Sequence, residues 1–228
     1  MAAVNSPADT LHYVFDPLCG WCYAAAPLVA AAREVAGLRI ALHGCGMMTG
    51  ANRRAITPQW RDYVMPHDRR IAQLSGQPFG AGYFDGLLND TDAVMDSAPP
   101  TTAILAAEQL GGRGLDLLHR LQQAHYVEGR RIADADVLGT LAEDIGLDRA
   151  AFDAAFAALS GTATDRHFSA SRAFLAEVGG QGFPTFALQH ADGRTSRLDA
   201  SAFLSRPDAW AAQLSDLISN ATPSRSTP

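Results

Sequence analysis

Leu11-His12-Tyr13-Val14-Phe15-Asp16-Pro17-Leu18-Cys19-Gly20-Trp21-Cys22-Tyr23 is the stretch on which the reading of this chain turns. Leu11 to Phe15 is rich in β-branched and aromatic residues and stops at Asp16-Pro17, a turn signal, so it reads as a strand. From Gly20 the composition turns Ala-rich and helix-favouring, with Leu28, Val29, Ala32 and Val35 at helical spacing and Gly37 as the stop. A strand therefore feeds a Cys-x-x-Cys pair straight into a helix. Leu38 to His43 reads as a second strand, and a connection of this length requires the two strands to run parallel.

That placement has chemical consequences. A first sulfur at a helix N-terminus and a second one turn further along are able to close a small disulfide. Unpaired N–H groups and the positive end of the helix dipole favour a thiolate at Cys19, which makes Cys19 the predicted nucleophile. Cys22, inside the first turn, is predicted to attack the mixed disulfide and release the substrate. Gly20-Trp21 supplies neither a proline nor an ionisable group between the sulfurs, so the pair is expected to be a weaker oxidant than the strongest periplasmic ones. Trp21 is expected to sit exposed beside the sulfur, as a flat face for a peptide or glutathione.

Two plainer readings compete. Cys19 and Cys22 form half of a structural zinc site, with His43 and Cys45 able to complete it, although such half-sites usually lie on loop knuckles rather than between a strand and a long helix. Alternatively the pair is inert and buried. Cys45, in His43-Gly44-Cys45-Gly46, reads as a small buried hydrophobe. His12, His43 and His190 fall on predicted strands and read as packing or surface residues.

Further along, residues from about 57 to 178 look helical, with no strand. Thr57-Pro58 resembles an N-cap followed by proline at the first helical position, and Pro99-Pro100 marks another start. Asp134 and Asp148 are N-cap candidates, and Gly146 and Gly161 supply stops. Ser75 to Ser97 reads as a long loop with short helical turns. After Gly179-Gly180 strand character returns: Pro184 to Gln189, then Ala191-Asp192-Gly193, then Arg194 to Leu198, a hairpin signal. A last amphipathic helix is predicted over Ser201 to Ser219. The order β-α-β, helical insert, β-β-α is that of an α/β thioredoxin-like fold carrying a large all-helical insertion. Its discontinuous core covers 1–56 and 179–220, the insert covers 57–178 with its last helix available to pack on the core, and 221–228 is a disordered tail.

Bulk properties narrow the partners. The 228 residues are 47% hydrophobic and 18% charged, and no apolar run approaches the ~18 residues of a membrane helix. All 18 basic residues are Arg and the net charge is −6, so there is no basic excess for nucleic acid. Three cysteines are too few for a secreted disulfide framework, and Met1 to Thr10 lacks a basic and apolar leader, so a cytoplasmic protein is expected.

Phe15-Asp16-Pro17-Leu18-Cys19-Gly20-Trp21-Cys22-Tyr23 resembles the active-site entry of cytoplasmic DsbA-like proteins of the FrnE type, and Gly182-Phe183-Pro184-Thr185-Phe186 resembles their cis-proline loop. Pro27 and the stretch Asn52 to Phe79 are similar to the family as well. The resemblance implies a thiol–disulfide oxidoreductase or isomerase acting on protein or low-molecular-weight thiols and disulfides, with no tightly bound cofactor and with glutathione as a candidate co-substrate; monomer and homodimer both stay open. It implies that Pro184 is cis and that Phe183 and Pro184, with Trp21, bind substrate. Kappa-class glutathione transferases and 2-hydroxychromene-2-carboxylate isomerases share the architecture but generally carry Ser at the position of Cys19. A glutathione-dependent transferase or isomerase for a small aromatic substrate is thus the alternative, and a zinc-stabilised binding module the third. Thioredoxins also use a buried acid beneath the dithiol, for which Asp16 and Glu34 are the candidates here.

Overall fold

The computed structural model describes residues 8–221; residues 1–7 of the Met1 to Thr10 leader reading, and nearly all of the predicted disordered tail, lie outside them. Strand β1 (Asp9–Phe15) forms as its composition demands, and β2 (Leu38–Gly44) runs parallel to it in the register Leu11 to Ile40. Strand β5 (Thr185–Gln189) pairs antiparallel to β1, with Val14 opposite Thr185, and β6 (Thr195–Leu198) closes the hairpin, for a sheet order β2-β1-β5-β6. Gly193 takes φ +89° in that hairpin turn, where a side chain would be strained.

The period-two alternation of β1 gives the sheet two different faces. Tyr13 and Phe15 point to one of them, with Tyr13 stacked between Phe15 at 5.1 Å and Phe186 at 5.0 Å. Trp210 of helix α9 (Pro207–Ala221) is fully buried against Phe186 there. Burial of an aromatic side chain that size removes ~150–250 Å² from water, about 4–6 kcal/mol of transfer free energy, which pins the C-terminal helix to the sheet. On the opposite face His12 and His43 stack on Phe174 of helix α8 (Thr162–Glu177), each at 4.4 Å between ring centroids.

The helix after β1 departs from a single run. It is α1 (Gly20–Ala24) followed by α2 (Ala26–Arg33), broken at Ala25. Pro27 lies at the start of α2 and lacks an N–H, so the ladder cannot continue across the junction. Between β2 and β5 lie α3 (Pro58–Ser75), α4 (Ala98–Gln109), α5 (Gly114–Tyr126), α6 (Ala135–Asp144) and α7 (Arg149–Leu159), then α8. Thr57 caps α3 by accepting from Trp60 N–H at 3.1 Å, and Asp148 caps α7 by accepting from Ala151 N–H at 2.8 Å; Asp134 stands at the N-cap of α6 without a side-chain bond.

Two expectations are corrected. The helical region is not free of strand: β3 (Arg54–Ala55) pairs with β4 (Val94–Met95), a ladder two residues long that carries no periodicity to read. The last helix does not start at Ser201; a 3₁₀ turn (Ser201–Phe203) comes first, and Pro207 opens α9, as proline does at a first helical position.

Candidate active site

Cys19 occupies the N-cap of α1 in an extended conformation (φ −92°, ψ 115°), and its carbonyl accepts from Cys22 N–H at 3.0 Å and Tyr23 N–H at 3.1 Å. All three cysteines are free thiols. Cys19 keeps 7% of its surface and Cys22 none, so the two sulfurs differ in access as their places in the helix dictate. Burial, reinforced by a hydrogen bond to Cys19, holds the Cys22 thiol protonated well above the ordinary cysteine range. Tyr13, reaching up from β1, donates its hydroxyl to the Cys22 carbonyl at 3.2 Å.

Across from the dithiol, the Phe183–Pro184 bond is cis and the Phe183 carbonyl lies 3.7 Å from Cys19 Sγ. The juxtaposition follows from the sheet: Val14 pairs with Thr185, so the loop before β5 must end beside the loop after β1. Trp21 is 38% exposed and, with Phe183, Pro184 and Leu74 of α3, walls an open groove of about 690 Å³ that continues past Arg197 toward Ser201. Cys19, Cys22, Trp21, Phe183 and Pro184 are thus brought together.

Beneath the dithiol lies Asp16, fully buried. Its Oδ1 accepts from Leu18 N–H and from the Ser97 hydroxyl, both at 2.9 Å, and its Oδ2 accepts from Met47 N–H at 2.6 Å. Burial outweighs these three donors and the Arg172 charge and lifts its carboxyl to about 6. The Asp16 backbone favours the Cys22 thiolate, and the Asp16 carboxylate charge opposes it. Asp16, and not Glu34, is therefore the buried acid at the dithiol; Glu34 is exposed at the C-cap of α2.

Helix α3 brings a second acid that sequence reasoning missed. Asp68 keeps 4% of its surface, accepts from the Tyr83 hydroxyl at 2.6 Å, and is lifted to about 6 by burial. Its Oδ1 lies 2.8 Å from where a β-carbon on Gly20 would stand, so a side chain at position 20 requires the Asp68 carboxylate to shift. The signal was a carboxylate on the inward face of α3, in line with Ile71 and Ser75 at helical spacing. Tyr23 adds a further tie: it stacks on Tyr126 at 4.8 Å and donates to the Pro78 carbonyl at 2.8 Å.

The other candidates lie apart from this chemistry. Burial raises Cys45 to about 12, and its carbonyl accepts from Arg172 at 2.8 Å. His43 is bonded to His12 at 2.8 Å on the far face of the sheet. Among the described residues no three His, Cys, Asp or Glu side chains are grouped as a metal ion would require.

A strand-fed Cys-x-x-Cys at a helix start, a cis-proline loop against its outer sulfur and a helical insertion in the sheet's crossover define a thioredoxin-fold thiol–disulfide oxidoreductase. The chain belongs to the DSBA-like thioredoxin domain family, which it matches over residues 10–209. It is 55% identical to the cytosolic disulfide reductase DsbM from Pseudomonas aeruginosa, covering 93% of this chain and 100% of that one with a TM-score of 0.87. A second DsbM structure, with GSH, gives 53% identity over 92% of this chain and 99% of that one, with a TM-score of 0.86. Pseudomonas aeruginosa DsbA shares the fold at 14% identity, over 96% of this chain and 87% of that one, with a TM-score of 0.53. Among curated proteins none matches the chain. Among the described residues no helix is long and apolar enough to cross a membrane.

Proposed function

We propose that the chain is a cytoplasmic dithiol reductase in which Cys19 attacks, Cys22 resolves and Asp16 takes the proton, with glutathione as co-substrate. The observation that carries this reading is the Cys19 sulfur lying 3.7 Å from the Phe183 carbonyl while Cys22 is sealed behind it. An extended substrate laid along Trp21, Phe183 and Pro184 meets the outer sulfur alone.

The Cys19 thiolate attacks one sulfur of the substrate disulfide, forming a Cys19–substrate disulfide and expelling the first substrate thiolate. Cys22 then gives its proton to Asp16, attacks the Cys19 sulfur and expels the second thiolate, leaving a Cys19–Cys22 disulfide. Two electrons have passed to the substrate, and two glutathione molecules return them by becoming glutathione disulfide. Burial makes Cys22 a reluctant acid, which is why a proton acceptor bonded into the same loop is needed. The reductive direction and the cytoplasmic setting are supported by the likeness to a cytosolic reductase, and glutathione by the relative's structure with GSH. The same reading divides the chain into a core up to residue 56 and from 179 to 220, and an insert over 57–178 that supplies the second wall of the groove.

The test is trapping. Incubated with glutathione disulfide, Cys22→Ser is expected to accumulate a Cys19–glutathione adduct detectable by intact mass, and Cys19→Ser to accumulate none. Equal adducts on both variants would defeat the division of roles. A Cys19–Cys22 potential near the glutathione pool, roughly −220 to −320 mV, is expected for a reductase.

A further inference from the structure

Behind the dithiol, on the side of α2 away from the substrate groove, a cleft of about 590 Å³ opens between α2 and α5. Its volume lies in the range of small-molecule sites, ~300–1,000 Å³. Val29, Leu115, Leu118 and Ile145 give it an apolar wall, and Tyr13 and Gln122 stand among the lining residues. Gln122 is 1% exposed, and its Nε2 has no hydrogen-bond partner. A buried amide left unpaired costs ~1–3 kcal/mol, and because Gln122 is one of the residues lining the cleft, a ligand acceptor that reaches its amide recovers that cost.

The charges at the rim select against an ionic guest. Arg33 and Arg113 share Asp116, and Arg120 is held by Asp144 at 2.9 Å and Glu128 at 2.7 Å, so the guanidiniums are already matched by carboxylates. An anion entering would have to compete with those pairs, and a cation would have no unmatched buried acid to meet. Gln122 offers an N–H donor, against which a carbonyl fits. We propose that this cleft is a second ligand site, separate from the substrate groove, for a small neutral, mainly apolar molecule bearing a carbonyl that accepts from the Gln122 amide. The inference stands apart from the redox reading, although Tyr13 borders the cleft while its hydroxyl holds the Cys22 carbonyl.

The test uses three probes of similar size on the full-length reduced protein, followed by ¹H–¹⁵N spectra: acetanilide (neutral, with a carbonyl), benzoate (charged) and toluene (no acceptor). Acetanilide is expected to give saturable shifts in Val29, Leu118 and Gln122, to bind more tightly than benzoate, and to lose about two- to tenfold in affinity in Gln122→Leu, the range of one hydrogen bond, while toluene binding persists. Ala30→Trp, at an exposed position on the cleft wall, is expected to block both neutral probes while leaving the fold intact. Absence of saturable acetanilide shifts in the wild type would overturn the proposal. So would benzoate binding more tightly than acetanilide, or acetanilide binding unchanged in both variants.

Discussion

Asp16→Asn separates charge from shape at the residue that ties the redox loop together. In the folded protein the carboxyl is lifted from 3.8 to about 6, so the native state holds this proton more tightly than the unfolded chain does. The contribution of that proton to stability is fully present below pH 3.8 and is lost as pH rises through about 6. A gap of roughly two pH units corresponds to about 3 kcal/mol. Asparagine has no such titration, but its amide puts a donor where Oδ2 accepts from Met47 N–H, a loss of ~1–3 kcal/mol at every pH. At neutral pH the two effects nearly offset each other, and the discriminating quantity is the slope. In urea denaturation from pH 4 to pH 7, the wild type is expected to lose about 2.4 kcal/mol relative to the variant, most of the full gap, since every other titrating group cancels in the difference. Catalytically, release of glutathione from a preformed Cys19 adduct is expected to slow by ~10²-fold or more at pH 7, the usual scale of general-base assistance. Stability differences that stay constant across pH 4–7 would refute the buried titration. Unchanged glutathione release would refute the proton-acceptor role.

Iodoacetamide at neutral pH is expected to label Cys19 of the reduced protein first, because Cys22 and Cys45 are buried and held protonated, the latter up to about 12; peptide mapping that finds either one alkylated earlier contradicts this order. Gly20→Ala is expected to destabilise the protein by ~1–3 kcal/mol, since its methyl would lie 2.8 Å from Asp68 Oδ1 and 3.0 Å from Ile71 Cδ1, and Asp68→Ala in the same chain should recover part of that loss in urea titrations. Burial, with His12 and His167 alongside, depresses His43 from 6.5 to about 4, so its neutral form is the stabilising one: stability is full above pH 6.5 and falls as pH drops toward 4, by about 1–2 kcal/mol after allowance for the part-exposed ring. Thermal unfolding of His43→Asn should show a flatter acid limb than the wild type.

What could be read ahead of the structure was whatever rests on local pattern. The strand ending at Asp16-Pro17, the cysteines at a helix start and the hairpin around Gly193 each depend on a few adjacent residues, and each forms as its chemistry directs. The cis-proline loop was legible only through resemblance, since Phe183-Pro184 alone reads as an ordinary turn. Asp16 was visible as an acid three residues before Cys19, but its burial depends on Ser97 and on Met47, which lie 81 and 31 residues away. The β3–β4 ladder joins segments some forty residues apart through two residue pairs, too short for any alternation to register. The split before the last helix was readable and missed: Arg206-Pro207 is a helix start, and the run of apolar residues from Phe203 to Leu217 concealed it.

The composition of the dipeptide between the cysteines takes on another meaning once α3 is in place. From sequence, Gly20-Trp21 speaks only to redox poise, through the absence of a neighbouring charge. In the structure the two residues answer to different surroundings: Trp21 faces the groove, whereas a β-carbon at Gly20 would stand 2.8 Å from the Asp68 carboxylate and 3.0 Å from the Ile71 methyl. Any side chain introduced at position 20 to change the potential must first push aside the Asp68 carboxylate of α3, and with it the Asp68–Tyr83 bond at 2.6 Å. Because Tyr83 in turn packs on Tyr126, and Tyr126 on Tyr23 of α1, that displacement returns to the redox helix from its other side. The helical insertion therefore constrains the dithiol as closely as the sheet does, and a change in potential produced at position 20 would report packing of the insert before it reported the electronics of the sulfurs.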